Sequence, residues 1–131
     1  MIFVDSSVWI SNLRNTDSEA VRKLRAIAEA DDGQLLVGDL VLLEVLQGAR
    51  DDDHAARIEQ NMRHYTIASV LNDELAVRAA KNVRTLRRRG ITVRKTIDMI
   101  IGTFCIEGGH TLLHEDRDFH PMVEHLGLRV I

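Results

Sequence analysis

Cysteine is all but missing from this 131-residue chain: Cys105 stands alone. A single thiol cannot close an internal disulfide, so nothing here asks for an oxidising compartment. Proline occurs once, and no repeat, low-complexity tract or linker divides the chain. The expectation is one domain over residues 1–131. No apolar run approaches the roughly 18 residues of a membrane span. The opening stretch, MIFVDSSVWI, has no cationic region and carries an acid at position 5, unlike a secretory leader. A cytoplasmic, membrane-free protein is expected. Aromatic residues make up 4%, too few for extensive base stacking. Gly-rich phosphate loops, the glycine-flanked elbow of a serine hydrolase and zinc-type Cys/His spacing are all absent. Positive charge is not in excess either, since the formal net charge of −3 argues against coating nucleic acid by bulk electrostatics.

What is present is an ordinary globular composition, 45% apolar and 28% charged, on a chain long enough to bury a core without staples. Short β-like runs alternate with helical patterns. IFV reads as a strand ending at Asp5, and residues 6–14 read as helix. Residues 17–31 form an amphipathic helix with Val21, Leu24, Ile27 and Ala28 on its apolar side. QLLVG is a second strand, followed by a helix for which Asp39 is the expected N-cap and Gly48 the stop. A helix from about Asp52 to His64 leads to the short strand YTIAS. Residues 72–89 place Leu75, Ala79, Val83 and Leu86 on one side, ending at Gly90. A helix over 96–106, a turn with the strand TLL, and a closing strand LRVI complete the chain. Strands separated by helices with short connections predict a parallel sheet covered on both faces, an α/β fold.

Against this pattern two carboxylates are out of place. TIDMIIGTFCI carries Asp98 and LVLLEVLQG carries Glu44, each as the one charge in an apolar helix. An unpaired carboxylate taken into a core costs several kcal/mol, roughly, so each is at a wet edge, paired, or bound to something. In open α/β sheets, ligand sites form beyond the carboxyl ends of the strands. Asp5 follows one strand directly, Asp116 lies just past another, and the helices of Glu44 and Asp98 begin near the same edge. Four acids from distant segments therefore converge. Two such charges about 4 Å apart repel by roughly 4 kcal/mol at an effective dielectric of 20. A divalent cation relieves this, and all-oxygen ligands suit Mg²⁺ or Mn²⁺. That chemistry polarises a phosphodiester and activates water, which points to a nuclease.

The same residues carry a family resemblance. FVDSSVWI, LLEVLQGA, TIDMIIGT and LLHEDRDF, in that order over essentially the whole chain, resemble the ordered acidic motifs of PIN domains, and most closely those of the VapC toxins of bacterial toxin–antitoxin pairs. The resemblance implies a three-layer α/β/α sandwich with a mostly parallel sheet. It also implies a Mg²⁺- or Mn²⁺-dependent ribonuclease held inactive by a cognate antitoxin, leaving a 5′ phosphate and a 3′ hydroxyl. Carried over by position, Asp5, Glu44, Asp98 and Asp116 are the catalytic and metal-binding quartet, with Ser7 as the small polar neighbour of Asp5. Asp118, two residues on, is a supporting or alternate ligand, since positions 116 and 118 would share a face in a strand. His114 stands where the family often has threonine. Folded loops of tRNA or ribosomal RNA are the substrates the family suggests.

Each acid has a plainer reading. Asp98 sits where acids complement a helix dipole, Asp5 where turns begin, and Asp116 and Asp118 in a loop where carboxylates are normally solvated. Glu44, flanked by apolar residues, is hardest to explain away. From Arg78 to Lys95 the chain has eight cations and no acid: Arg78, Lys81, Arg84, Arg87, Arg88, Arg89, Arg94 and Lys95. Of these, Arg84, Arg87, Arg88, Arg94 and Lys95 are the candidate RNA contacts, against the alternative of a solvated helix face. Val8, Trp9 and Leu13 are candidate contacts for a partner or a homodimer, although core packing explains them equally. Two other classes fit parts of the pattern. A phosphoacceptor or phosphatase also uses an acid after the first strand, but the phosphatase wants a second aspartate where Ser7 stands. A non-catalytic binding module predicts that neutralising Asp98 is harmless.

Overall fold

The computed structural model describes residues 1–131. Five strands, β1 (Ile2–Val4), β2 (Leu35–Gly38), β3 (Thr66–Ala68), β4 (Thr111–Leu113) and β5 (Arg129–Val130), form one sheet in the order β3-β2-β1-β4-β5. Every pairing is parallel; Phe3 lies opposite Leu36 on one side and Leu112 on the other. Phe3, Val4 and all four residues of β2 are buried, as expected of strands covered on both faces, which read as continuous apolar runs. The chain leaves β1 toward β2 and β3, then returns to the other side of β1 as β4. The sheet therefore has a switch point at β1, and a crevice opens beyond its carboxyl end.

Seven helices surround the sheet: α1 (Ser6–Leu13), α2 (Glu19–Ala30), α3 (Asp39–Gln47), α4 (Asp52–Met62), α5 (Asp73–Arg88), α6 (Thr96–Gly108) and α7 (His120–Leu126). They pack in two groups, α1 to α4 and α5 to α7, giving the α/β/α arrangement. Their starts follow from short polar side chains: Ser18 accepts from the Val21 amide, Asp51 from that of His54 and Asn72 from that of Leu75. Helix α5 has Asp73 and Glu74 in its first turn and Arg87 and Arg88 in its last, so both ends complement its dipole. Helix α6 is apolar all round and sinks Met99, Ile101, Thr103 and Cys105, as such a helix must. Gly102 permits the approach of α7, because a Cβ there would overlap the Met122 side chain. Gly38 has the same role at the sheet, where a Cβ would stand 2.6 Å from Phe3 Cζ.

Several expectations change. The helix expected over 17–31 begins at Glu19, because Ser18 takes the cap. Asp39 is the first residue of α3 rather than its cap, which is Gly38. The Asp39 carboxylate instead accepts from the Val70 amide at 3.1 Å, tying the end of β3 to α3. Asp116 and Asp118 are not in a strand. Asp116 caps a 3₁₀ turn over Arg117–Phe119 and its Oδ1 accepts from the Asp118 amide. Helix α7, between that turn and β5, was not expected. Val8 and Trp9 are core residues, so of the three candidate partner contacts on α1 only Leu13 is exposed.

Candidate active site

The sheet edge gathers the acids because Asp5, Asp98 and Asp116 each sit where an element starts, whereas Glu44 lies midway along α3. Asp5 ends β1 and caps α1 with 4% exposure. Its Oδ2 accepts from the Ser7 amide at 3.1 Å and the Ser7 hydroxyl at 2.5 Å. The Ser7 oxygen in turn accepts from the Glu115 amide at 3.2 Å. One hydroxyl thus joins the acid after β1 to the loop after β4. The Glu115 carboxylate extends the strut, accepting from Ser11 at 2.6 Å and from Ser18 at 2.5 Å. The His114 ring accepts from the Asp116 amide at 3.1 Å through Nδ1. Neither Glu115 nor His114 was expected to orient the acids; the only hint was their place inside LLHEDRDF.

Asp98, in the first turn of α6, is 7% exposed. No side-chain hydrogen bond caps this helix, and Asp98 Oδ2 is buried with no hydrogen-bond partner. Helix-end chemistry alone does not account for such an atom, because buried polar atoms are almost always satisfied. Glu44, half-buried on α3, leaves Oε1 in the same condition. Asp98, Asp116 and Asp118 each bring one carboxylate oxygen to within 4.8 Å of the others. Asp118 thus joins the cluster as fully as Asp116 does.

Charge repulsion and burial show in the proton affinities. Burial, then the charge of Asp5, pushes the Asp98 carboxyl up to about 7, with Asp116 and Glu44 adding to the rise and Lys95 opposing it. Burial and the Asp5 charge also raise Glu44. Asp5 itself is raised by burial, in part offset by the Ser7 hydrogen bonds. Asp116 differs: burial raises it, but the Lys95 hydrogen bond and the Asp118 amide outweigh that and hold it below the ordinary range. Asp98 therefore senses Asp5, Asp116 and Glu44, and Glu44 senses Asp5, while the close oxygen cluster is made by Asp98, Asp116 and Asp118. The donor set is all oxygen, and two of its atoms are buried without partners. Both observations fit a hard divalent cation.

Lys95 departs from its expected place. It precedes α6, and its ammonium lies 2.6 Å from Asp116 Oδ2, 3.8 Å from Asp118 Oδ2 and 3.9 Å from Asp98 Oδ2. In this structure it faces the acids. Arg94 reaches Asp118 only at 4.0 Å. Arg78, from the same basic run, is paired with Glu107 on α6. Arg84 and Arg87 border an apolar groove between α5 and α6, while Arg88 donates to Thr85 at 3.3 Å on its own helix. A cleft of about 260 Å³ adjoins the acids, walled by Leu86, Ile91 and Met99 and rimmed by Arg94, Lys95 and Arg117.

Fold and site together define a parallel α/β/α protein with carboxylates from four remote segments gathered at the switch point of its sheet. The PIN domain pattern matches residues 2–123, and the chain belongs to the PIN domain family. It is 31% identical to ribonuclease VapC11 of Mycobacterium tuberculosis over 120 residues, 91% of this chain and 89% of that protein. It is equally similar to VapC ribonuclease Mb1587 of Mycobacterium bovis. In fold it resembles a chain of VapBC2 from Rickettsia felis, solved bound to a promoter DNA fragment, with a TM-score of 0.75 at 14% identity, covering 100% of this chain and 98% of that one. It also resembles VapC20 of Mycobacterium tuberculosis, described as a toxin that cleaves the sarcin–ricin loop, with a TM-score of 0.66 at 17% identity, covering 92% and 93%.

Proposed function

We propose that this chain is a divalent-metal-dependent ribonuclease and the toxin of a toxin–antitoxin pair. The observation that carries the reading is Asp98: a carboxylate buried at the mouth of an apolar helix, with one oxygen unpartnered and the group clustered with Asp116 and Asp118. The family and the VapC relatives supply the substrate class, RNA, and the partner, a cognate antitoxin. Asp98, Asp116 and Asp118 would hold the cation, Mg²⁺ or Mn²⁺, with Glu44 and Asp5 completing the negative crevice. When bound, such a cation polarises the scissile phosphodiester and activates water for in-line attack.

The remaining roles belong to the chain itself. Ser7 fixes Asp5 by accepting from Glu115 while donating to the carboxylate. The 3₁₀ turn capped by Asp116 holds its carboxylate and that of Asp118 on the same side of the crevice. The cleft rimmed by Arg94 and Arg117 gives the RNA backbone a cationic border, and Arg84, Arg87 and Arg88 on α5 are further candidate phosphate contacts. A phosphoacceptor role for Asp5 is disfavoured, because its Oδ2 is engaged by Ser7 and the residue is buried.

The test is cleavage of total cellular RNA by the purified chain, with and without Mg²⁺ or Mn²⁺, beside an Asp98→Asn variant of matched folded stability. Metal-dependent cutting that disappears in the variant is the expected result. Equal cutting by the two proteins, or cutting indifferent to chelator, would refute the proposal.

A further inference from the structure

We propose that the Lys95 ammonium is a tethered counter-cation that fills the carboxylate cluster of the metal-free protein, so that a divalent ion enters by exchange with it. The inference rests on the metal-site reading given above, and concerns a residue that family resemblance assigns no such role.

Three observations carry it. The ammonium faces all three acids of the cluster and not one alone, at 2.6 Å from Asp116, 3.8 Å from Asp118 and 3.9 Å from Asp98. Only the Asp116 contact is a hydrogen bond, so the other two carboxylates are neutralised across space and Asp98 Oδ2 stays unpartnered. The arrangement satisfies charge without satisfying ligands. Finally, the Lys95 side chain is 53% exposed, and its position just before α6 requires no side-chain cap. Its flexible four-carbon stem can leave the cluster.

A divalent ion held by the same oxygens would take the space the ammonium occupies between them. The two cations also repel at such close range. Occupancy by one therefore excludes the other. Lys95 holds the empty cluster together and weakens metal binding. An ordinary surface ion pair predicts no such opposition, and a lysine that arranges the ligands for metal predicts the reverse sign.

The experiment is titration of the full chain with Mn²⁺ alone, read by calorimetry and by the rise in melting temperature, for wild type, Lys95→Met and Arg57→Gln. The last removes one exposed positive charge from α4, in the other helix group, and controls for bulk electrostatics. In chelator, Lys95→Met is expected to melt below wild type. In Mn²⁺ it is expected to bind with a Kd lower by roughly three- to fivefold, the upper range for loss of one partly exposed competing ion pair. Arg57→Gln should shift the Kd by less than about twofold. Unchanged or weaker binding by Lys95→Met, or an equal gain in Arg57→Gln, overturns the proposal while leaving the metal site intact. Absence of Mn²⁺ binding by wild type overturns both this proposal and the metal-site reading.

Discussion

The Ser7 hydroxyl donates to Asp5 Oδ2 at 2.5 Å while its oxygen accepts from the Glu115 amide at 3.2 Å. That single group links the carboxyl ends of β1 and β4, the two strands whose following residues supply Asp5 and Asp116. Ser7→Ala removes a hydrogen bond to a buried carboxylate and strands an amide, so a loss of about 1–3 kcal/mol is expected. Urea denaturation measures it. A change below experimental error would mean that the strut does not hold the site.

Metal-free stability should depend on pH through Asp98. Its folded carboxyl sits at about 7 against an ordinary 3.8, so between those values the folded state binds more protons than the unfolded one. Stability from this group is therefore lost as pH rises through that window. Glu44 and Asp5 are raised too and act in the same direction. In chelator, Asp98→Asn should flatten the fall and be more stable than wild type at pH 8, by on the order of 2 kcal/mol. Melting curves from pH 5 to 8 on the two proteins check this. A wild type whose stability climbs steadily over that range, with no gain in the variant, would show that Asp98 is not under charge stress.

Gly102 probes packing separately from function. A Cβ at 102 meets the flexible end of Met122 on α7, which can shift, so Gly102→Ala is expected to cost about 1 kcal/mol, the low end for overpacking, set against its better helix propensity. Shortening Met122 to alanine in the same chain should recover part of that loss, giving a favourable coupling in a double-mutant cycle. Strict additivity of the two changes would contradict the packing account.

RNA affinity should draw on Arg84, Arg87 and Arg88, whose guanidiniums have no acidic partner, more than on Arg78, which is paired with Glu107. In an Asp98→Asn background, each neutralised phosphate contact should lessen the slope of log affinity against log salt by about 0.7. Filter binding to a single-stranded RNA at several salt concentrations separates the two classes. An Arg78→Gln effect as large as that of Arg84→Gln would place the RNA elsewhere.

Much of this was legible in the sequence because the signals were local. Buried parallel strands read as short apolar runs, and Glu44 and Asp98 stood out because everything around them was apolar. What the sequence hid depends on contacts between distant positions. Lys95 reads as one more cation in a basic run, and its engagement of Asp116, 21 residues away, leaves no trace in spacing. Asp118 is expected beside Asp116 on one face of a strand; a 3₁₀ turn brings the two into the cluster instead. Helix α7 escaped notice because HPMVEHL is only seven residues, with proline in its first turn and stability drawn from Met122 and Leu126 against the core. Asp39 looked like a cap because its partner, Val70, is 31 residues on.

The proposed divalent-cation site, built by acids from remote segments, is open to anomalous diffraction from crystals grown with Mn²⁺. A manganese peak is expected within coordination distance of Asp98 and Asp116, with Asp118 at or just beyond it and the Lys95 ammonium displaced. A map with no anomalous peak at the acids, or a peak that leaves Asp98 uncoordinated while Lys95 keeps its place on Asp116, would contradict the proposed site.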